Sequence, residues 1–590
     1  MPSTTASRLL ALLALALVPP VLLAQPPKPA DPPKPAQVAA VSPTEADAKI
    51  IAEVKDRSEV VKNLQYLCDV IGPRVTGSAK LEKANKWAEK KMTEYGLTNV
   101  KLEPWEIPVG WERGTATMTL VEPNAGKQLT VASAAWAPGT KGKVTAEVVA
   151  IEAKTKDDLA KYKGNLKGKV VLPRPPSNVK PVSDMASYLQ PAPRPAPPQP
   201  TPEPKPGDPK EGPKAEQPRP MDRGPSMQEM RAYQATLDEY LRTEGVVATL
   251  RDSNKPHGLL TMTGGWPRDA RGQGSQTPSL FVTHEHYAML YRLATAKDGP
   301  KPTVELEVTN KFIPGPITVY NTVGEITGSE KPDEFVVVGA HLDSWDLGTG
   351  ATDNGTGSCV VLEVARVLGA LAKAGIKPKR TIRFVLFTGE EQGLHGSRQY
   401  VTRHKDEMPK TSAVLVHDTG TGKVKGFGLQ GREAVKKVLD PELESLKKVD
   451  GWVGLTLRSI GGTDHQSFEA RGVGVPGFAC DQEPDEYYLT HHTQSDTFDH
   501  AKGPNLVQGA QVIAVTAFRI ANLPDLLPRD RKEEPRRPGG GGTPPGGETK
   551  PPEVKPADPK PAEVKPTDPK KDEPKPAELK PLDPKKDEKK

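Results

Sequence analysis

Apolar residues recur at helical spacing through Ala46, Ile50, Ile51, Val54, Val61 and Leu64, which predicts a helix with these side chains inward. Its start is marked by Ser42-Pro43-Thr44-Glu45, a capping-box pattern with proline at the first helical position. A second helix is predicted from Ser78, with Leu81, Ala84, Ala88, Met92 and Tyr95 on one face and Gly96 as its stop. A strand pattern follows over 99–107. Residues 125–290 read differently, with short β runs at 144–151, 169–172 and 246–250. From 305 to 523 apolar strands alternate with helices: strands at 334–340, 380–387 and 413–417, helices at 357–371 and 394–403. Val360, Val361, Val364, Leu368 and Leu371 form the inward face of the first of these helices. Apolar strands separated by helices predict an α/β fold with a mostly parallel sheet sandwiched by helices.

Composition adds the boundaries. The chain has 590 residues and 64 prolines, and 39 of those prolines crowd into 19–43, 190–225 and 528–590. These segments have too few apolar residues to pack a core. The tail also repeats, 560–574 recurring from 575 with a period of 15 residues. The expected organisation is a signal peptide over 1–24 and a Pro-rich linker over 25–42. A first part of the main domain spans 43–124. An inserted β-rich domain spans 125–290 and carries the Pro-rich loop 190–225. The second part of the main domain spans 305–527, and a Pro/Lys-rich tail covers 528–590. The signal rests on Arg8, the apolar run 9–18 and Ala24 before Gln25. That run is too short for a bilayer span, so export to a secreted or periplasmic location is expected, with no integral membrane span.

A net charge of +6 and 5% aromatic residues lack the clustered basic and aromatic footprint of nucleic-acid binding. Cys68, Cys359 and Cys480 are three thiols with no Cys-x-x-Cys spacing, so neither a disulfide scaffold nor a thiolate zinc site is expected.

In open α/β sheets ligands bind beyond the carboxyl ends of strands. The strand ends here deliver His341-Leu-Asp343-Ser-Trp-Asp346, then Asp353-Asn-Gly355, Glu390-Glu391-Gln-Gly393, Asp418-Thr-Gly420 and His491-His492. Each piece alone is weak. Together they make a set of imidazoles and carboxylates without thiolate, which suits a catalytic zinc-type site. So many carboxylates repel one another unless a cation neutralises them. Two cations sharing one bridging carboxylate would satisfy two histidines and three carboxylates.

The stretch from His341 through Asp353-Asn-Gly resembles the co-catalytic zinc exopeptidases, a family that includes bacterial leucyl aminopeptidases and plasma glutamate carboxypeptidase. Trp345-Asp346, Lys379-Arg-Thr-Ile-Arg and Thr463-Asp464-His465 favour the latter branch, and 71–78 is similar to the family's opening segment. The resemblance covers about 44–120 and 305–523, and the family's inserted protease-associated domain matches 125–290. It implies two Zn2+ ions bridged by Asp353, with His341 and Asp418 completing one site and Glu391 and His492 the other. It implies Glu390 as general base and Asp343 as the acceptor that orients the His341 ring. It also implies a cis peptide at Asp353-Asn354. Neighbours in an extended segment point opposite ways, so only one of His491 and His492 is expected to ligate, and the resemblance, which places the ligand directly before Thr or Ser, implies His492. His395, His404, His417 and His500 are read as structural. Asp464, His465, Tyr487 and Tyr488 are candidates for substrate contact.

The implied reaction is hydrolysis of a peptide or dipeptide near a chain end, of aminopeptidase, carboxypeptidase or dipeptidase type. Two other readings stay open at this point. One is a non-catalytic envelope-binding protein on the same fold, its tail contacting the cell envelope. The other is a single-zinc acyl transferase such as a glutaminyl cyclase.

Overall fold

The computed structural model describes residues 42–179, 227–266 and 277–530. The expected signal peptide, the loop 190–225, the linker up to residue 41 and the tail from residue 531 lie outside the described residues.

Among the described residues fifteen strands are present in chain order. They are β1 (Thr98–Glu112), β2 (Ala116–Glu122), β3 (Lys127–Gln128), β4 (Val131–Ser133) and β5 (Val144–Ala150). Next come β6 (Val170–Leu172), β7 (Ala248–Asp252), β8 (Ser279–Val282), β9 (Thr303–Val308) and β10 (Lys311–Ile326). The last five are β11 (Lys331–His341), β12 (Arg380–Phe387), β13 (Thr411–Val416), β14 (Val424–Gly428) and β15 (Gly477–Gln482). They form a seven-stranded sheet in the order β1-β10-β12-β11-β13-β15-β14 and an eight-stranded sheet in the order β3-β2-β9-β5-β6-β7-β8-β4.

The centre of the first sheet is parallel, β12-β11-β13-β15, and its residues are buried on both faces, as strands covered by helices must be. Its flanks are antiparallel, β1-β10-β12 on one side and β14 on the other. The mostly parallel expectation therefore holds for the middle of the sheet only. The long β1-β10 pair reads as two-faced strand, with alternating exposure along β1, and needs no helical crossover. One face of the sheet packs on Thr356–Lys373 and Gly503–Asn522, both apolar nearly all round. The other packs on Tyr400, Phe468 and Val475.

The first predicted helix is broken. Pro43–Arg57 ends at Ser58, a new helix spans Val60–Gln65, and a wider turn covers Tyr66–Ile71. The break rotates the helical face, so Val61 is 39% exposed rather than inward. The Ser42 cap and the Ala79–Glu94 helix capped by Ser78 are as expected, with Gly96 turning at φ 85°.

The second sheet extends past the expected limits 125 and 290, because β2 and β9 pair antiparallel within it. Both alternate buried and exposed residues, the mark of a half-covered strand. The cis Glu122-Pro123 turn lies inside this sheet and is no domain boundary. Between the two sheets sits an aromatic cluster of Trp105, Trp111, Trp136, Trp266 and Trp345.

Candidate metal centre

The parallel strands end together, and the loops leaving them carry the chemistry. His341 is the last residue of β11, Glu390 and Glu391 follow β12, and Asp418 follows β13. Asp353 lies in the turn before the Thr356–Lys373 helix. The Asp353-Asn354 peptide is cis, as the resemblance implies. Asn354 ties this turn to the end of β13: its Nδ2 donates to the His417 carbonyl at 2.9 Å, and its Oδ1 accepts from Gly357 N–H at 2.9 Å. Gly357 is required there, since a Cβ would lie 2.3 Å from both Asn354 Oδ1 and the His417 carbonyl oxygen.

These groups converge. His341 Nε2 lies 3.1 Å from Asp418 Oδ1 and 3.3 Å from Asp353 Oδ1. His492 Nε2 lies 3.1 Å from Glu391 Oε2 and 3.3 Å from Asp353 Oδ2. Asp353 thus turns one oxygen toward each pair. The ligand atoms of His341, Asp353 and Glu391 all lie within 4.8 Å of one another. Glu390 Oε2 is 3.9 Å from His341 Nε2, beside the set.

The His341 ring is oriented through its other nitrogen. Nδ1 lies 3.0 Å from the backbone carbonyl of Asp343, which can only accept, so Nδ1 carries a proton and Nε2 faces the cluster. Burial disfavours a second proton, but the Asp418, Asp343 and Asp353 carboxylates outweigh it and raise this imidazole well above its usual range until a cation takes the proton's place. The expected carboxylate acceptor is displaced: Asp343 Oδ1 is 3.7 Å from Nδ1. That carboxylate instead accepts from the Glu390 and Glu391 N–H groups at 3.3 Å each and from the Thr76 hydroxyl at 2.9 Å. It therefore holds the glutamate loop, because the short aspartate stem reaches the following strand end better than it reaches its own histidine.

His491 and His492 do not point opposite ways. Their rings stack at 3.7 Å, since His492 takes a left-handed φ of 61° and folds its ring back over its neighbour. His491 Nε2 approaches Asp353 Oδ2 only to 3.8 Å, and its side chain is 42% exposed against 20% for His492. Trp345 packs edge-on against His492 at 6.0 Å.

Without a cation this arrangement is frustrated. Burial pushes the carboxyls of Glu390 and Glu391 well above the usual range, with neighbouring carboxylates adding to it, and raises that of Asp418 too. Buried Glu391 Oε1 has no hydrogen-bond partner among the described residues. Burial lowers both His491, to about 4, and His492, which keeps the imidazoles neutral and able to ligate. Hard and borderline donors, no thiolate and an excess of buried negative charge fit divalent zinc.

Among the other sequence candidates, Tyr487 turns its ring onto His491 at 4.9 Å and faces the carboxylates, whose charges add to burial in raising its phenol. Tyr488 turns toward the second sheet, with its hydroxyl donating to the Asn254 carbonyl at 3.3 Å. Asp464 and His465 are fully buried and back the site rather than line it. His404 is held by Glu103 and Glu407, and His417 is buried and neutral, its pKa lowered to about 4 by burial. His395 stacks on Trp105 and lies tilted against Trp266, and His500 lies by Ser495.

Three positioning residues escaped sequence reasoning. Asp496 accepts from Thr352 N–H, the Thr352 hydroxyl and Asp353 N–H. Thr76 donates to Asp343. Arg74 donates to the carbonyls of Leu342, Gly72, Thr349 and Gly350, fixing the loop between His341 and Asp353. The available signals were the aspartate four residues beyond His492 and the Arg-Val-Thr of 74–76.

The model of peptidase family M28 matches residues 321–517, which contain every one of the converging groups. Carboxypeptidase Q of Mus musculus is 29% identical over 481 residues, covering 80% of this chain and 88% of that protein. Among solved structures, a peptidase M28 precursor from Shewanella amazonensis superposes with TM-score 0.64 at 23% identity, covering 82% of this chain and 98% of that one. A zinc aminopeptidase from Bacillus subtilis superposes with TM-score 0.51 at 19% identity, covering 78% and 93%. At such identities the structural likenesses speak for the fold, and the matched family model and the curated relative speak for descent. Residues 321–517 match peptidase family M28, and together with the likeness to carboxypeptidase Q they make the chain a zinc-dependent metallo-exopeptidase.

Proposed function

We propose that this chain is a two-zinc exopeptidase that hydrolyses dipeptides and other short peptides outside the cytoplasm. In this reading Asp353 bridges the ions, His341 and Asp418 hold one, and Glu391 and His492 hold the other. The observation that carries it is the division of Asp353, whose Oδ1 faces His341 at 3.3 Å and whose Oδ2 faces His492 at 3.3 Å. A carboxylate serving a single ion has no need of separate donor pairs on its two oxygens.

Zinc held there supplies Lewis acidity toward a scissile carbonyl and lowers the pKa of water. Glu390 takes the proton from the attacking water and passes it to the leaving amine. Burial among carboxylates raises its proton affinity, which suits a group that must keep a proton between two steps. Asp343 positions Glu390 and Glu391 through their backbone N–H groups, and Asp496 positions Asp353. Tyr487 borders the space in front of the cluster. The second sheet, taken as a protease-associated domain, closes one side of it. The Arg8-to-Ala24 pattern supports export.

The likeness to carboxypeptidase Q supports the choice of short peptides with a free carboxyl end. The test is amino-acid release from dipeptides, N-acetylated peptides and peptide amides, with and without chelator, alongside elemental analysis. The expected result is dipeptide hydrolysis that chelator abolishes and zinc restores, with about two zinc per chain. One zinc per chain together with cyclisation of N-terminal glutamine would contradict the proposal.

A further inference from the structure

Residues 254–262, from the second sheet's domain, run along the segment that carries the histidine pair. Met262 N–H donates to the His492 carbonyl at 2.7 Å, and Thr261 and Thr493 form an antiparallel bridge. Leu260 N–H donates to Gln494 Oε1 at 2.7 Å, and Gln494 Nε2 donates to the Gly258 carbonyl at 3.2 Å. Within this segment Asn254 and His257 both take left-handed φ values, 53° and 60°, an unusual conformation for residues other than glycine. The turn they make presents Lys255.

Lys255 is only 8% exposed. Its ammonium donates to the Tyr488 carbonyl and sits 4.3 Å over the Tyr488 ring. No carboxylate among the described residues lies within ion-pair distance of it. Other basic side chains near the site are committed, Arg74 to four carbonyls and Arg113 to Asp346 at 2.7 Å. Burial alone lowers the Lys255 pKa, to about 8. Its charge opposes protonation of both His491 and His492, so it sits within electrostatic reach of the imidazoles. A buried cation without a counter-ion is costly, and an anion brought by a ligand would compensate it.

We propose that Lys255 is a specificity-determining residue that receives the free α-carboxylate of the residue on the leaving side of the scissile bond. The proposal rests on the exopeptidase reading and deepens it toward dipeptides and free carboxyl ends. The ammonium has two donors left beyond the one given to Tyr488, and a charged hydrogen bond in a dry site discriminates strongly against an uncharged amide. An acidic side chain on the leaving residue would offer the same chemistry, so the test separates the two sources.

The experiment compares kcat/KM for alanyl-leucine, alanyl-leucine amide and alanyl-glutamate amide in the zinc-loaded full chain, with wild type, Lys255→Met and Lys255→Arg. Any general damage to folding or metal content lowers all three rates alike and cancels in their ratios. Wild type is expected to favour the free acid over its amide. Lys255→Met is expected to lower that ratio by about tenfold to a hundredfold, the worth of one charged hydrogen bond, chiefly through KM. Lys255→Arg is expected to keep most of it. A ratio that Lys255→Met leaves within about twofold of wild type overturns the proposal. A loss confined to alanyl-glutamate amide overturns the α-carboxylate assignment in favour of a side-chain one. Failure of wild type to hydrolyse any of the three overturns the exopeptidase reading and this proposal with it.

Discussion

Replacing Asp496 by asparagine should weaken zinc binding while leaving the fold in place. Its Oδ1 accepts from Thr352 N–H at 2.6 Å and from the Thr352 hydroxyl at 2.8 Å, and its Oδ2 accepts from Asp353 N–H at 3.2 Å. An amide keeps one accepting oxygen and turns an NH2 against a donor, so at least one of the three bonds is lost. Keeping the two bonds to Thr352 sacrifices the one that orients Asp353. A hydrogen bond to a charged group is worth about 1.5–3 kcal/mol. Residues that orient metal ligands change affinity by about 10–100-fold when altered, or about 1.4–2.7 kcal/mol, so the two scales agree. The metal-free protein should not suffer, because burial and the Asp353 charge already push the Asp496 carboxyl up to about 7, and the substitution removes that repulsion. The assay is equilibrium competition with a zinc-chelating dye, run beside thermal unfolding of the metal-free protein. An affinity change below about threefold, or a collapse of the metal-free melting temperature, would refute the assignment and make Asp496 a strut of the fold.

Glu390→Gln should keep about two zinc per chain and lose about 10²–10⁴ in kcat, the span of general acid–base catalysis, read by elemental analysis and dipeptide turnover on one preparation. His492→Gln should lose zinc where His491→Gln keeps it, because only His492 meets both Glu391 and Asp353 within 3.3 Å; equal loss would mean that both imidazoles ligate. In the metal-free protein Asp464 and Asp496 titrate near 7 against about 3.9 unfolded. Between about pH 4 and 7 the unfolded chain has these groups ionised while the folded state still binds protons, so stability falls as pH rises through this range and levels off above it. Melting temperature against pH should show this slope with chelator present. Zinc should flatten it, by stabilising the ionised cluster.

The parallel heart of the fold was readable because its strands carry continuous apolar runs and are flanked by helices of clear period. The strand at 380–387 matches the structure residue for residue. Every proposed ligand was visible as well, since the chemistry stands out against apolar neighbours and glycine closely follows the clusters of Asp353, Glu391 and Asp418. What escaped depended on distance along the chain. The acceptor for His341 is a backbone carbonyl, and no side-chain pattern announces it. The stacking of His491 on His492 follows from one left-handed residue, where the extended-segment argument assumed alternation. Asp496 and Thr76 act on groups more than 140 and more than 260 residues away respectively, and only the folded chain joins them. Lys255 lies in a segment whose sequence shows neither motif nor period, and its meaning comes from the histidine loop packed beside it.

The central claim is that two ions share Asp353, and anomalous diffraction at the zinc edge tests it most directly. The account predicts two peaks, one between His341 and Asp418 and one between Glu391 and His492, each in contact with a different oxygen of Asp353. A single peak, or a second one away from Asp353, would contradict it.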